Sequence, residues 1–163
     1  MSVPAMVTVL ATGPELVGGS IRGIEPALVE LIRSAASELH IAAYRVGPGS
    51  GILMDHVERA LAAGVRVICV VSSTSSVDAE TAARLARLRG SYPHMTLVDL
   101  AARGTGLLHA KAVVADRRRA IVGSANLTWG GLVANLEIAL LVEGDPAWQI
   151  AALIDRLATG RTP

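Results

Sequence analysis

The feature that most constrains this chain is the repeated pairing of short apolar runs with segments of helical period. VRVICVV, residues 65–71, is apolar at every position but Arg66. A run of that length suits a strand covered on both faces and is far too short for a membrane span, which needs about 20 residues. VTVLATG (7–13, stopped by Pro14), LHIAAYRV (39–46) and TLVDL (96–100) read the same way. So do HAKAVVAD (109–116), AIVGSAN (120–126) and NLEIALLVEG (135–144). Helices are predicted over 25–36, with Pro26 in the first turn and apolar residues at 28, 31, 32 and 35, and over 52–64, closed by Gly64. Two more are predicted over 78–89, capped by Asp78, and over 146–158. Strands alternating with helices predict an α/β domain with a mixed, mostly parallel central sheet and helices on both faces. The 163 residues suffice for one domain, taken as 7–159, with 1–6 and 160–163 as ragged ends.

Composition narrows the function. Hydrophobic residues make up 52% and charged residues only 18%, so surplus apolar surface is expected to meet another subunit. The net charge of +1 excludes binding of nucleic acid by bulk electrostatics, so any phosphate would be held by a few placed groups. The N-terminus lacks a basic segment followed by an apolar one, so no signal peptide and no membrane insertion are expected, and the location is read as cytoplasmic. Cys69, alone within an apolar run, reads as core filler.

HAKAVVAD is the exception among the apolar runs. Alternation along a strand puts His109, Lys111 and Val113 on one face, with the first two about 7 Å apart. In GSANLT (123–128), Gly123 permits close approach, and Ser124 and Asn126 are again two apart. Glu137 enters the otherwise apolar IALLV. Each has an ordinary reading alone: a strand-end histidine, an edge lysine, loop formers, a turn at Asp116 and Arg117. Together they converge from apolar strands, where unpaired burial would cost several kcal/mol. Thr12, Tyr44, Arg45 and residues 72–76 follow strand ends, where the crevice of an α/β sheet lies, and are read as groove lining or turn and cap residues. Trp129 could stack on a base or serve core or interface packing. Arg84, Arg87, Arg89 and residues 117–119 read as a phosphate-binding rim or as solvated faces. His40, His56 and His94 read as structural or surface residues.

HAKAVVAD fits H-x-K-x-x-x-x-D, the signature of the phospholipase D superfamily, and GSANLT and Glu137 resemble the segments that follow it there. LIRSAASELHIAAYRV resembles the helix and strand that open such domains. The closest likeness is to compact bacterial endonucleases with a single motif, and the chain is also similar to the phospholipase D-like component of DISARM phage-defence systems. The resemblance implies a phospholipase D/nuclease fold and a phosphodiesterase working through a phosphohistidine. Two subunits would place two copies of His109 across one phosphate. Lys111 and Asn126 would hold the phosphoryl oxygens, Ser124 would add a hydroxyl, and Glu137 would accept the Nδ1 proton of His109. Asp116 is read as structural, pairing with residues 117–119. No cofactor and no metal are expected. The implied partners are nucleic acid, DNA ahead of RNA, a second copy of the chain, and other subunits of a defence system. The alternatives are a lipid phosphodiesterase or phosphatidyltransferase, and a non-catalytic nucleic-acid-binding subunit of a defence complex.

Overall fold

The computed structural model describes residues 5–104 and 106–160. Along them run β1 (Met6–Thr12), β2 (Arg22–Gly23), α1 (Ile24–Ser34), β3 (Glu38–Ala43), α2 (Gly51–Ala62) and β4 (Arg66–Val71). There follow α3 (Ala79–Ser91), β5 (Met95–Asp99), β6 (Lys111–Ala115), β7 (Arg119–Gly123), β8 (Glu137–Glu143) and α4 (Asp145–Thr159). The strands form one sheet in the order β2-β1-β8-β7-β6-β3-β4-β5. Six strands run one way and β6 and β8 run against them, so the sheet is mostly parallel in direction. Neighbour by neighbour the balance differs from expectation: four pairs are antiparallel and three parallel, because both reversed strands sit inside the sheet. The expected N-terminal raggedness stops short of Met6, which opens β1 opposite Glu143. The rest of that expectation falls on residues 1–4 and 161–163, outside the described residues.

Alternation along the strands divides the core in two. Leu39, Ile41, Val67, Cys69, Val113 and Ile121 face α1, α2 and α3. The apolar stripe of α1 (Ile24, Ala27, Leu28, Leu31, Ile32) follows the helical period and meets Leu53, Val57 and Leu61 of α2 in the same cluster. Each such side chain contributes roughly 1.5–3 kcal/mol by leaving water. On the opposite face Ile68, Val70, Val114 and Val142 meet Ala147, Ala151 and Ile154 of α4. With α4 seated there, Val7, Val9, Ile138 and Leu140 on β1 and β8 stay exposed. Asp78 caps α3 as expected, accepting from the Thr81 amide at 3.0 Å.

The end of the sheet where β3 begins is held by polar groups. The turn between β6 and β7 places Asp116 (φ +51°) and Arg117 (φ +56°) in the left-handed region, and the Arg118 amide donates to the Ala115 carbonyl at 3.0 Å. This is the pattern of a type I′ turn, which glycine and asparagine favour. Each non-glycine residue there costs roughly 1–2 kcal/mol. The carboxylate of Asp116 offsets that cost. It accepts from the amides of Ala36 and Ser37 at 2.8 Å, from Glu38 at 2.9 Å and from the Ser37 hydroxyl at 2.7 Å, tying the hairpin to the α1–β3 connection. Asp116 therefore does not pair with residues 117–119 as the sequence suggested. Burial pushes its carboxyl up, but these hydrogen bonds outweigh burial and hold it below the usual range.

Arg117 reaches Glu38 at 2.6 Å and Asp155 of α4 at 2.5 Å. His40, fully buried, meets Asp155 at 3.0 Å, so it is a core anchor for α4. Burial pushes the His40 imidazole below its ordinary value against the pull of Asp155 and Glu38.

Two outcomes follow from this end of the sheet. Asp116→Ala strands the amides of Ala36, Ser37 and Glu38 and leaves the strained turn unsupported; chemical denaturation is expected to show a loss of about 2–4 kcal/mol. The second concerns pH. The folded chain holds the His40 proton less tightly than the unfolded chain, so His40 costs no stability above pH 7. As pH falls below about 6.5 the unfolded chain takes the proton first and stability drops. Glu38, Asp116 and Asp155, all held below the usual carboxylate range, withdraw their contribution at lower pH still. The melting temperature is expected to begin falling near pH 6.5, and His40→Gln to remove that upper step alone.

Candidate active site

The reversal of β6 and β8 gathers chain ends at one edge of the sheet. The starts of β6 and β8 meet the finishes of β1, β3 and β7. His109 and Lys111 therefore stand by Tyr44, just past β3, and Ser124, just past β7, stands by Glu137. Ala43 pairs with Lys111, and the Tyr44 amide donates to the Ala110 carbonyl at 3.0 Å.

His109 lies two residues before the strand proper, yet the expected neighbourhood with Lys111 holds and is tighter than strand spacing alone gives. The Lys111 ammonium lies 3.1 Å from Nδ1 and 3.2 Å from Nε2 of His109 and donates to the His109 carbonyl at 2.8 Å. The ammonium thus lies against the ring edge that holds both nitrogens. The Tyr44 ring packs on the imidazole with centroids 4.6 Å apart and planes tilted by 49°. Lys111 Nζ sits 5.2 Å from the same ring and the Arg45 guanidinium 5.5 Å, both within cation–π reach.

The second cluster forms across β7 and β8. The Ser124 hydroxyl donates to one oxygen of Glu137, and the Asn135 amide donates to the other at 3.1 Å. Glu137 is thus engaged by Ser124 and Asn135, and no hydrogen bond joins it to His109 among the described residues. Asn135 was not singled out from sequence, although its position two residues before Glu137 in NLE was the available signal. The room at Gly123 is used by the protein itself: a Cβ there would strike the Ile138 carbonyl and Ala139 on β8. Asn126 belongs to a neighbouring loop, and its Oδ1 is buried with no partner among the described residues.

Other expectations change. Thr12 is only 3% exposed and stands opposite Glu137 in the β1–β8 register. Arg84 and Arg87 pair with Asp55 and Glu58 on α2, Arg117 with Glu38 and Asp155, and Arg119 with Glu30 and Glu143. Of the expected rim only Arg89 and Arg118 lack a carboxylate partner among the described residues. His94 meets the Leu61 carbonyl at 2.9 Å, and His56 lies 3.4 Å from Arg59. Among the described residues no group of three or more His, Cys, Asp or Glu side chains is placed to hold a metal ion, and no helix is long and apolar enough to cross a membrane.

Residues 28–158 match the family model described as cardiolipin synthase, PLD-like domain. The chain belongs to the phospholipase D superfamily. Within it, the chain is 30% identical over 139 residues to the DISARM protein DrmC of Bacillus paralicheniformis, covering 83% of this chain and 56% of DrmC. It is 26% identical over 136 residues to the human 5'-3' exonuclease PLD4, covering 76% of this chain and 26% of PLD4. The chain thus spans about half of one of these curated relatives and about a quarter of the other. Among solved structures the phospholipase D fold is shared with NucT from Helicobacter pylori, at a TM-score of 0.75, 17% identity and coverage of 94% of this chain and 96% of that one. Nuc from Salmonella typhimurium gives 0.71, 19%, and coverage of 97% and 94%. Phosphatidylserine synthase from Haemophilus influenzae gives 0.69, 16%, and coverage of 97% and 39%.

The packing of Tyr44 on His109 is checkable without any substrate. In NMR spectra the ring-proton resonances of His109 are expected to move in Tyr44→Leu, where the ring current is gone, and to stay close to their original positions in Tyr44→Phe.

Proposed function

We propose that the protein is a metal-independent phosphodiesterase acting on nucleic acid, DNA ahead of RNA, in an active site completed by a second copy of the chain. The observation that carries this reading is the Lys111 ammonium set 3.1 Å and 3.2 Å from the two ring nitrogens of His109 at a strand-end crevice. The pair combines a nucleophile with the positive charge that phosphoryl oxygens require. His109 attacks phosphorus and the bond to the leaving oxygen breaks, giving a phosphohistidine. The second copy's His109, as imidazolium, gives its proton to the departing alkoxide. The now neutral imidazole then takes a proton from water, and the hydroxide displaces His109 from phosphorus. Lys111 and Asn126 hold the non-bridging oxygens, and Ser124 with Asn135 keeps Glu137 in place. These groups are imidazole, ammonium and amide, and that donor set supports a reaction run without a metal.

One motif brings one histidine, so the second must come from a partner, and an isologous pair supplies it without new sequence. The exposed strip of Val7, Val9, Ile138 and Leu140 supports that pairing, because Ile138 (60% exposed) and Leu136 (63%) flank Glu137 directly. The DrmC relative supports a role in phage defence beside other subunits.

The test is cleavage of labelled DNA and RNA by purified protein in excess EDTA. Activity is expected to persist in EDTA and to fall at least about a thousandfold in His109→Ala. Ile138→Asp is expected to yield a monomer by sedimentation and to lose activity with it. Activity that needs added Mg²⁺, or that survives in His109→Ala, would overturn the mechanism.

A further inference from the structure

The loop after β3 and the segment after β7 are locked into one wall beside His109. Val46 pairs with Leu127 in a short bridge, the Leu127 amide donates to the Arg45 carbonyl at 3.1 Å, and the Gly47 amide donates to the Leu127 carbonyl at 3.0 Å. The buried Ser50 hydroxyl closes the loop onto the Gly47 carbonyl at 2.8 Å. The Trp129 amide donates to the Pro48 carbonyl. Gly49, at φ +92°, lies so close that a Cβ would strike the Trp129 backbone. The Trp129 backbone is therefore clamped, while its side chain is 57% exposed and has no ring partner among the described residues. Arg45, in the same wall, is exposed and has no carboxylate partner among the described residues. Arg84 and Arg87 on α3, by contrast, are paired with carboxylates of α2.

An exposed indole on a clamped backbone, three residues from Asn126 and in the same wall as an arginine with no carboxylate partner among the described residues, has the makings of a stacking platform. Such platforms take a nucleobase on the ring and the backbone phosphate on the cation, and they serve any base because every base has a π-face. In a duplex both faces of an internal base are already covered by its neighbours. The indole therefore gains nothing from a duplex and everything from an unpaired strand.

We infer that the wall formed by Arg45 and Trp129 binds a single-stranded segment of nucleic acid, with a base stacked on the Trp129 indole and an adjoining phosphate on Arg45. This rests on the nucleic-acid reading above and narrows it to unpaired strands.

The test uses the full chain carrying His109→Ala, so that no substrate is consumed. A mixed-sequence 12-mer is titrated as single strand and as duplex, reading anisotropy of the labelled oligonucleotide and quenching of protein fluorescence. The chain has two tryptophans, so Trp148 serves as the internal reference. The expected result is tighter binding of the single strand, with quenching that disappears in Trp129→Ser. That substitution is expected to weaken single-strand binding by roughly tenfold or more and to leave duplex binding unchanged, while Trp129→Phe restores most of the loss. Single-strand binding that is unaltered in Trp129→Ser, an equal loss on duplex, or quenching that persists in that variant would each overturn the inference. If the parent binds both forms equally, the platform is refuted and the nuclease reading stands; if it binds neither, both fall.

Discussion

β6 and β8 run against the six other strands, and the site depends on that reversal. Strand ends are where backbone pairing stops and side chains are free to turn toward a common point. In a sheet of one direction, those ends would offer only the residues that follow strands. Here the residues that precede β6 and β8 join them. His109 and Lys111 thereby reach Tyr44, and Glu137 reaches Ser124. The close pairing of β7 with β8 at Gly123 and Ala139 keeps the second cluster compact, since no side chain stands between the strands there.

The opposite end of the sheet bears the cost of this arrangement. A hairpin is needed to turn β6 into β7, and its two central residues are not glycines. Asp116 and Arg117 adopt left-handed backbone because their side chains are held by the α1–β3 connection and by α4. The last residue of the signature is thus the far anchor of the strand at whose start His109 and Lys111 stand. A strand of five residues couples the two. His40 and Asp155 extend the anchor into the α4 layer, which makes the seating of that helix sensitive to acid.

Much of the charge is spent inside the fold. Arg84, Arg87, Arg117 and Arg119 hold helices and strands together through carboxylates. Lys111 and Arg45, grouped about Tyr44, are exceptions at the crevice. Their grouping there makes the positive charge local although the net charge of the chain is only +1.

The sequence by itself determined the α/β class, the helices and most strands, because apolar periodicity is a local property that α1, α2 and the core strands largely obey. It also singled out His109, Lys111, Ser124, Asn126 and Glu137, since they interrupt runs that otherwise bury. The tertiary structure alone decided who touches whom. Glu137 binds Ser124 and Asn135, Asp116 binds the α1–β3 connection, and Arg84, Arg87 and Arg117 find carboxylates distant in sequence. The five-residue turn of π type at Gly130–Ala134 had no apolar period to announce it. Pairing of charges and hydrogen bonds depends on strand order and register, which spacing along one chain does not encode. The alternation of a strand tells which face a side chain takes, and only the folded sheet tells what stands opposite.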